Sequence, residues 1–161
     1  MPRNVLIVPF LAFLLACGAS LADQEKEARA ALDGRDFAKA RSLAEAALAG
    51  SDAASDAPGA WRIEQIRMEA LANDKQGAEL ASTLERLAGK YPAQVTAALY
   101  RSMADKLKTA GDNSGAIDVL SAGDKRFPAE HDAFVEAINA LQQGGDLDPA
   151  EVERLKALGY L

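Results

Sequence analysis

From Gln24 onward the apolar residues recur at spacings of three and four, as in Ala40, Leu43, Ala44, Ala47 and Leu48. Such spacing lays an apolar stripe along a helix, whereas a half-buried strand alternates at every second residue. The breaks between stripes define eight short helices in four pairs. These run from Gln24 to Leu32, Phe37 to Ala49, Ala60 to Ala72, Gln76 to Lys90, Ala93 to Thr109, Ser114 to Lys125, Glu130 to Gln143 and Pro149 to Leu158. Asp33-Gly34-Arg35-Asp36 parts the first two, with Asp36 suited to cap the second; Pro92 and Pro128 lie just beyond two later helices. Asp148, Pro149 and Glu151 supply the cap, first-turn and capping-box residues of the last. Gly50 to Gly59 (GSDAASDAPG) is small, polar and hostile to helix, and is expected to be the longest loop.

Shifted by 38 residues against itself, the chain aligns Asp36 with Asp74 and Asp112, and Ala40 with Ala78 and Ala116. Both columns fall at the turn and the start of the second helix of a pair, and a period of about 20 to 50 residues marks stacked repeats. The stretch Arg35-Asp36-Phe37-Ala38-Lys39-Ala40, followed by the apolar positions above, resembles the second-helix half of a tetratricopeptide repeat. Gly111 to Ala116 with Leu120, and Asn73 to Ala78, repeat it more weakly; Tyr91-Pro92 and Phe127-Pro128 are similar to the aromatic-proline punctuation that closes such units. The resemblance covers residues 24–128, although the period exceeds the usual ~34 residues and the family's first-helix Trp, Leu-Gly and Tyr signature is not recognisable. It implies an all-α fold of antiparallel helix pairs stacked as a short tetratricopeptide-like α-solenoid. Residues 129–161 then form an atypical C-terminal capping pair. Alanines near the turns would let helices approach closely, leucines would fill the space between pairs, and no single pair could bury its stripe alone.

Composition points the same way, since the 49% hydrophobic content is mostly alanine and leucine with few aromatics, a mix that favours helix over strand. The formal net charge of −6 argues against a nucleic-acid partner, which needs a basic face. Ahead of the helical body, Val5 to Ala16 form an apolar run of 12 residues interrupted by Pro9 and preceded by Arg3. A membrane-spanning helix needs about 20 apolar residues, so residues 1–22 read as a secretory signal peptide and residues 23–161 as the helical domain. Two cuts compete. Leu14-Leu15-Ala16-Cys17 resembles the lipobox of bacterial lipoproteins, which implies acylation of Cys17 as the new N-terminus; Ser20-Leu21-Ala22 instead offers an ordinary small-x-small site before Asp23. The apolar core runs directly into Cys17 and residues 18–24 can serve as a tether, which favours lipidation. Cys17 is the only cysteine, so either cut leaves no free thiol or disulfide, excluding cysteine catalysis and cysteine metal sites. The expected location is the bacterial cell envelope, with membrane association only through the lipid, or a free periplasmic or secreted protein if the second cut is used.

Candidate chemistry is sparse. His131 is the single histidine, beside Glu130 and Asp132 at a helix start, which cannot make the usual zinc constellation and has no nucleophile motif to serve. Carboxylates such as Glu25 near Arg29, or Glu151 near Lys156, are what exposed helices carry. Gly144-Gly145-Asp146-Leu147-Asp148 lacks the alternating ligands and closing glutamate of a calcium loop. There is no P-loop, dinucleotide fingerprint or Gly-x-Ser-x-Gly. Glu153 to Leu161 is similar to segments that close the catalytic domains of exported sulfatase-type hydrolases, but their Cys-x-Pro-x-Arg motif is absent, so no activity follows. The reading is therefore a chain with no catalytic residues, no metal and no cofactor, acting on a protein or peptide partner. In the tetratricopeptide-like array, first helices would line a concave groove. The offset places Arg29 and Arg67 in equivalent positions there with Arg101 nearby, cations able to grip a partner's carboxylate. A periplasmic chaperone or enzyme inhibitor is the alternative, and a hydrolase with an unrecognised carboxylate site the third.

Overall fold

The computed structural model describes residues 20–144 and 147–161, and no strand occurs among them. The helices are α1 (Leu21–Asp33), α2 (Phe37–Ala49), α3 (Ser51–Ser55), α4 (Ala57–Asn73), α5 (Gly77–Lys90), α6 (Ala97–Ala110), α7 (Asn113–Arg126), α8 (His131–Gln143) and α9 (Pro149–Leu158). Within each hairpin α1 packs on α2, α4 on α5 and α6 on α7; between hairpins α1 meets α4, α4 meets α6 and α5 meets α7. α8 and α9 both pack against α7. The main buried cluster runs from Met68 and Leu71 through Leu80, Leu84, Leu87 and Tyr100 to Ile117, Phe134 and Leu155. Two smaller alanine-rich clusters join α1 and α2 to α4.

The expected loop from Gly50 to Gly59 is instead α3 and the first turn of α4. Asp56 caps α4 by accepting from the Gly59 amide at 2.9 Å, Pro58 sits in the first turn where its missing N–H costs nothing, and Ala53 is buried. α1 starts at Leu21 rather than Gln24, because Ser20 caps it and Leu21 is only 6% exposed, seated among Ala44, Ala47, Ala60 and Ile63. α6 starts at Ala97 rather than Ala93: residues 92–94 form a turn and Thr96 caps the helix.

Three helix-closing turns share one hydrogen-bond pattern, which also closes α9 through the Tyr160 amide and the Leu155 carbonyl. Asp36, Gln76 and Asp112 each donate their amide to the carbonyl five residues back, on Ala31, Leu71 and Leu107, all at 2.9 Å. The residue before each donor is left-handed, with φ of 60° at Arg35, 58° at Lys75 and 80° at Gly111, as such a helix-closing motif requires. The spacing is 40 residues and then 36, averaging the 38 of the sequence comparison without keeping its columns. Asp74 therefore ends α4, and Gln76 stands where Asp36 and Asp112 cap their helices. Tyr91 and Phe127, also 36 apart, close α5 and α7 in nearly the same conformation, each before a proline.

α5 and α7 touch at their N-termini through two glycines. A Cβ on Gly77 would lie 2.2 Å from the Cα of Gly115, so neither position has room for a side chain. One carboxylate serves both helix starts there: Asp112 accepts from the Gly115 amide at 2.9 Å and from the Gly77 amide at 3.2 Å.

Candidate functional site

Each of the three arginines expected in a common groove is held in an ion pair. Arg29 reaches Glu69 at 3.2 Å, joining α1 to α4, and Arg101 reaches Glu130 at 3.1 Å with its guanidinium 5.6 Å from the centre of the Phe134 ring. Arg67 is 17% exposed and lies between three carboxylates: Glu45 at 3.3 Å, Glu79 at 3.4 Å and Glu64 at 3.8 Å. The turn register explains the first of these pairs. A spacing of 40 makes Glu69, not Arg67, the counterpart of Arg29, and those two counterparts form the ion pair.

Arg67 belongs to a six-residue charge lattice across α2, α4 and α5. Glu64, with a side chain 3% exposed, accepts from Arg86 through both of its carboxylate oxygens, at 3.1 and 3.2 Å. Arg41 reaches Glu79 at 3.5 Å. Three arginines and three glutamates thus neutralise one another, and a buried carboxylate such as Glu64 depends on such partners. The lattice fastens the first hairpin to the second and holds all three of its guanidinium groups in ion pairs, although the buried Arg67 Nε makes no hydrogen bond.

A different surface is open. α7 presents Asp118, Ser121, Ala122 and Lys125 along one stripe; Glu85 of α5 stands on one side, Arg154 and Leu158 of α9 on the other, and Arg126 closes the end, enclosing a cleft of about 490 Å³. The helical spacing of three and four residues puts these side chains in one row. Asp118 and Arg154 form a tight ion pair, and Arg154 also donates to Ser114 Oγ at 3.3 Å. Glu85 accepts from the Tyr100 hydroxyl at 2.7 Å and faces Arg126 at 3.7 Å, a separation too long for a hydrogen bond. Lys125 is exposed and has no ion pair among the described residues. Leu158, on the cleft's edge, and Leu161, three residues on, are the exposed large hydrophobic residues of the described chain.

Two tyrosines hold the cleft's walls. Burial, followed by the bond to Glu85, pushes the Tyr100 phenol well above its ordinary pKa of 10.0. Tyr160 donates to Asp124 at 2.7 Å, and burial together with that carboxylate pushes its pKa up to about 12. Asp124 also pairs with His131 Nδ1 at 2.9 Å, so one carboxylate ties α7 to the start of α8 and to the residues after α9. His131 is thus a clasp on an exposed surface. Trp61 and Tyr100 pack against the core, Trp61 5.2 Å from Tyr91 and Tyr100 5.8 Å from Phe127, ring centre to ring centre. Among the described residues no group of three or more His, Cys, Asp or Glu could hold a metal ion, and no helix is long and apolar enough to cross a membrane. Cys17, the expected lipidation residue, lies outside the described residues.

Sequence reasoning assigns α9 only a capping role and so misses the cleft. The signal is present in Arg154 and Leu158, four residues apart on a helix with one buried residue, Leu155. No family model, curated protein or solved structure matches the chain.

Proposed function

We propose that this chain is an exported, lipid-anchored, non-catalytic interaction scaffold of the bacterial cell envelope, a short tetratricopeptide-like array that binds a protein or peptide. The observation that carries the reading is the α5–α7–α9 cleft. There a lysine without an ion pair among the described residues, a loosely held arginine and an exposed leucine converge on a wall of helices. An arginine beside apolar surface suits recognition of a partner; the carboxylates present, Asp118 and Glu85, are occupied by Arg154 and Tyr100.

The start of α1 supports the lipidated form. Cutting before Cys17 keeps the Ser20 cap and the buried Leu21, whereas cutting before Asp23 removes both from the folded body. Affinity capture from envelope extracts tests the interaction. It compares the unaltered chain, a cleft variant (Lys125→Ala, Arg126→Ala, Leu158→Ala) and a variant of Arg29, Arg67 and Arg101, each first shown to be helical. A partner lost only with the cleft variant supports the proposal. A partner retained by that variant, or turnover of ester or glycoside substrates by the purified chain, overturns it.

A further inference from the structure

Resting on that interaction reading, we infer that the cleft takes an acidic peptide segment, one that places a side-chain carboxylate between Lys125 and Arg126 and an apolar side chain against Leu158 and Ala122. Arg154 is consumed by Asp118 and by Ser114, and Arg126 faces Glu85 only at 3.7 Å, while the second oxygen of Glu85 accepts from Tyr100. With Lys125, Arg126 and Arg154 against Glu85 and Asp118, the lining carries one positive charge in excess. Asp124, beside Lys125 at the same wall, is held by Tyr160 and His131, so the cleft is near neutral on a chain that carries −6 overall, and its cationic end is the part that suits a carboxylate. Lys125 and Arg126 do occupy the last turn of α7, where cations complement the helix dipole. That dipole end amounts to about half a negative charge, which offsets part of one cation and leaves the other for a partner.

Geometry then limits the occupant. Asp118 and Lys125 are seven residues apart on α7, a rise of roughly 10 Å at about 1.5 Å per residue, and this matches about three to four residues of extended peptide. α9 runs alongside in the same direction, Arg154 beside Asp118 and Tyr160 beside Asp124, which brings Leu158 to the Lys125 end. The cationic and apolar features therefore meet at one end of the cleft, so a carboxylate and an apolar side chain must be neighbours on the partner. Arg126 stands beyond hydrogen-bond distance of its nearest carboxylate, so its planar fork can grip a partner's carboxylate bidentately, with Lys125 adding a point charge. Ser121, buried on the floor beneath, narrows the cleft without adding charge.

The test is a titration of the isotope-labelled chain with the acetylated, amidated tetrapeptide Leu-Asp-Leu-Glu, its uncharged counterpart Leu-Asn-Leu-Gln, and inorganic phosphate. The expected result is saturable shifts confined to residues 118–126 and 154–158 and to Glu85, and at least tenfold weaker binding of the uncharged peptide. High salt and the Lys125→Gln, Arg126→Gln variant should each remove most of the binding, while Arg101→Gln leaves it unchanged. Equal binding of both peptides, shifts centred elsewhere, competition by phosphate at equal concentration, or no binding at millimolar peptide would each overturn the inference. If neither peptide binds while cleft substitutions still abolish capture of the native partner, the interaction reading survives and this inference alone fails.

Discussion

Gly77→Ala probes the contact on which the stacking of α5 against α7 depends. The new Cβ would lie 2.2 Å from the Cα of Gly115, 2.9 Å from Asp112 Oδ2 and 3.0 Å from the Gly115 carbonyl carbon, so backbone must move. Overpacking of this kind costs about 1–3 kcal/mol. Displacing Asp112 weakens one of the two helix starts it caps, worth about 1 kcal/mol, and the better helix preference of alanine returns at most about 1 kcal/mol. The net expectation is a loss of about 2 kcal/mol, or a fall in Tm of about 4–8 °C for a chain of this size. Gly89, in the same helix, is the matched control, because a Cβ added there would meet no heavy atom within 4 Å. Gly89→Ala should raise stability by about 0.5–1 kcal/mol. Thermal and urea denaturation followed by far-ultraviolet circular dichroism measure both. Equal stability of the two variants would refute the close approach of α5 and α7.

Three further outcomes are expected. A chain beginning at Asp23 should be about 2–3 kcal/mol less stable than one beginning at Gly18, because it loses the buried Leu21 and the Ser20 cap; equal urea midpoints would contradict the packing of α1. Arg86→Met strips the buried Glu64 of the one guanidinium nitrogen that donates to both its oxygens and should cost about 2 kcal/mol, discounted because Arg86 is half exposed, while adding Glu64→Met should recover part of the loss in a double-mutant cycle. Tyr100 and Tyr160 favour the neutral phenol in the folded state, so their stabilisation is complete below the unfolded value of 10.0 and is lost as pH rises through about 12 for Tyr160 and higher for Tyr100. Tyrosinate absorbance and urea midpoints across that range should show late ionisation and falling stability, and Tyr160→Phe should flatten the decline.

Most helices are legible in the sequence because their signals are local. Asp36, Asp112 and Asp148 cap helices where their spacing to the following apolar stripe places them, and Tyr91-Pro92 and Phe127-Pro128 end helices as the restricted residue before proline requires. The loop expected at Gly50 to Gly59 fails because small polar residues can also cap and start helices, as Asp56 and Pro58 do. Ser20 and Leu21 are hidden by the leader: they satisfy a cleavage pattern, whereas Ser20 caps α1 and Leu21 packs against Ala44 and Ile63. The equivalence of Arg29 with Arg67 fails for a reason of register. One uniform offset pairs Arg29 with Arg67, whereas successive units of 40 and 36 residues pair Arg29 with Glu69 and turn a supposed binding row into ion pairs. The cleft, finally, depends on how α9 lies against α7, a long-range relation that no local pattern in either helix specifies.

The most direct test of the cleft as the partner-binding surface is site-specific photo-crosslinking in the native host. A photoreactive residue is placed at Ala122 or Leu158 in the cleft, and at Lys26 on the exposed face of α1 as the comparison. The account predicts one discrete protein adduct from the two cleft positions, diminished by Lys125→Gln with Arg126→Gln, and none from Lys26. An adduct from Lys26 alone, or no adduct from either cleft position, would contradict it.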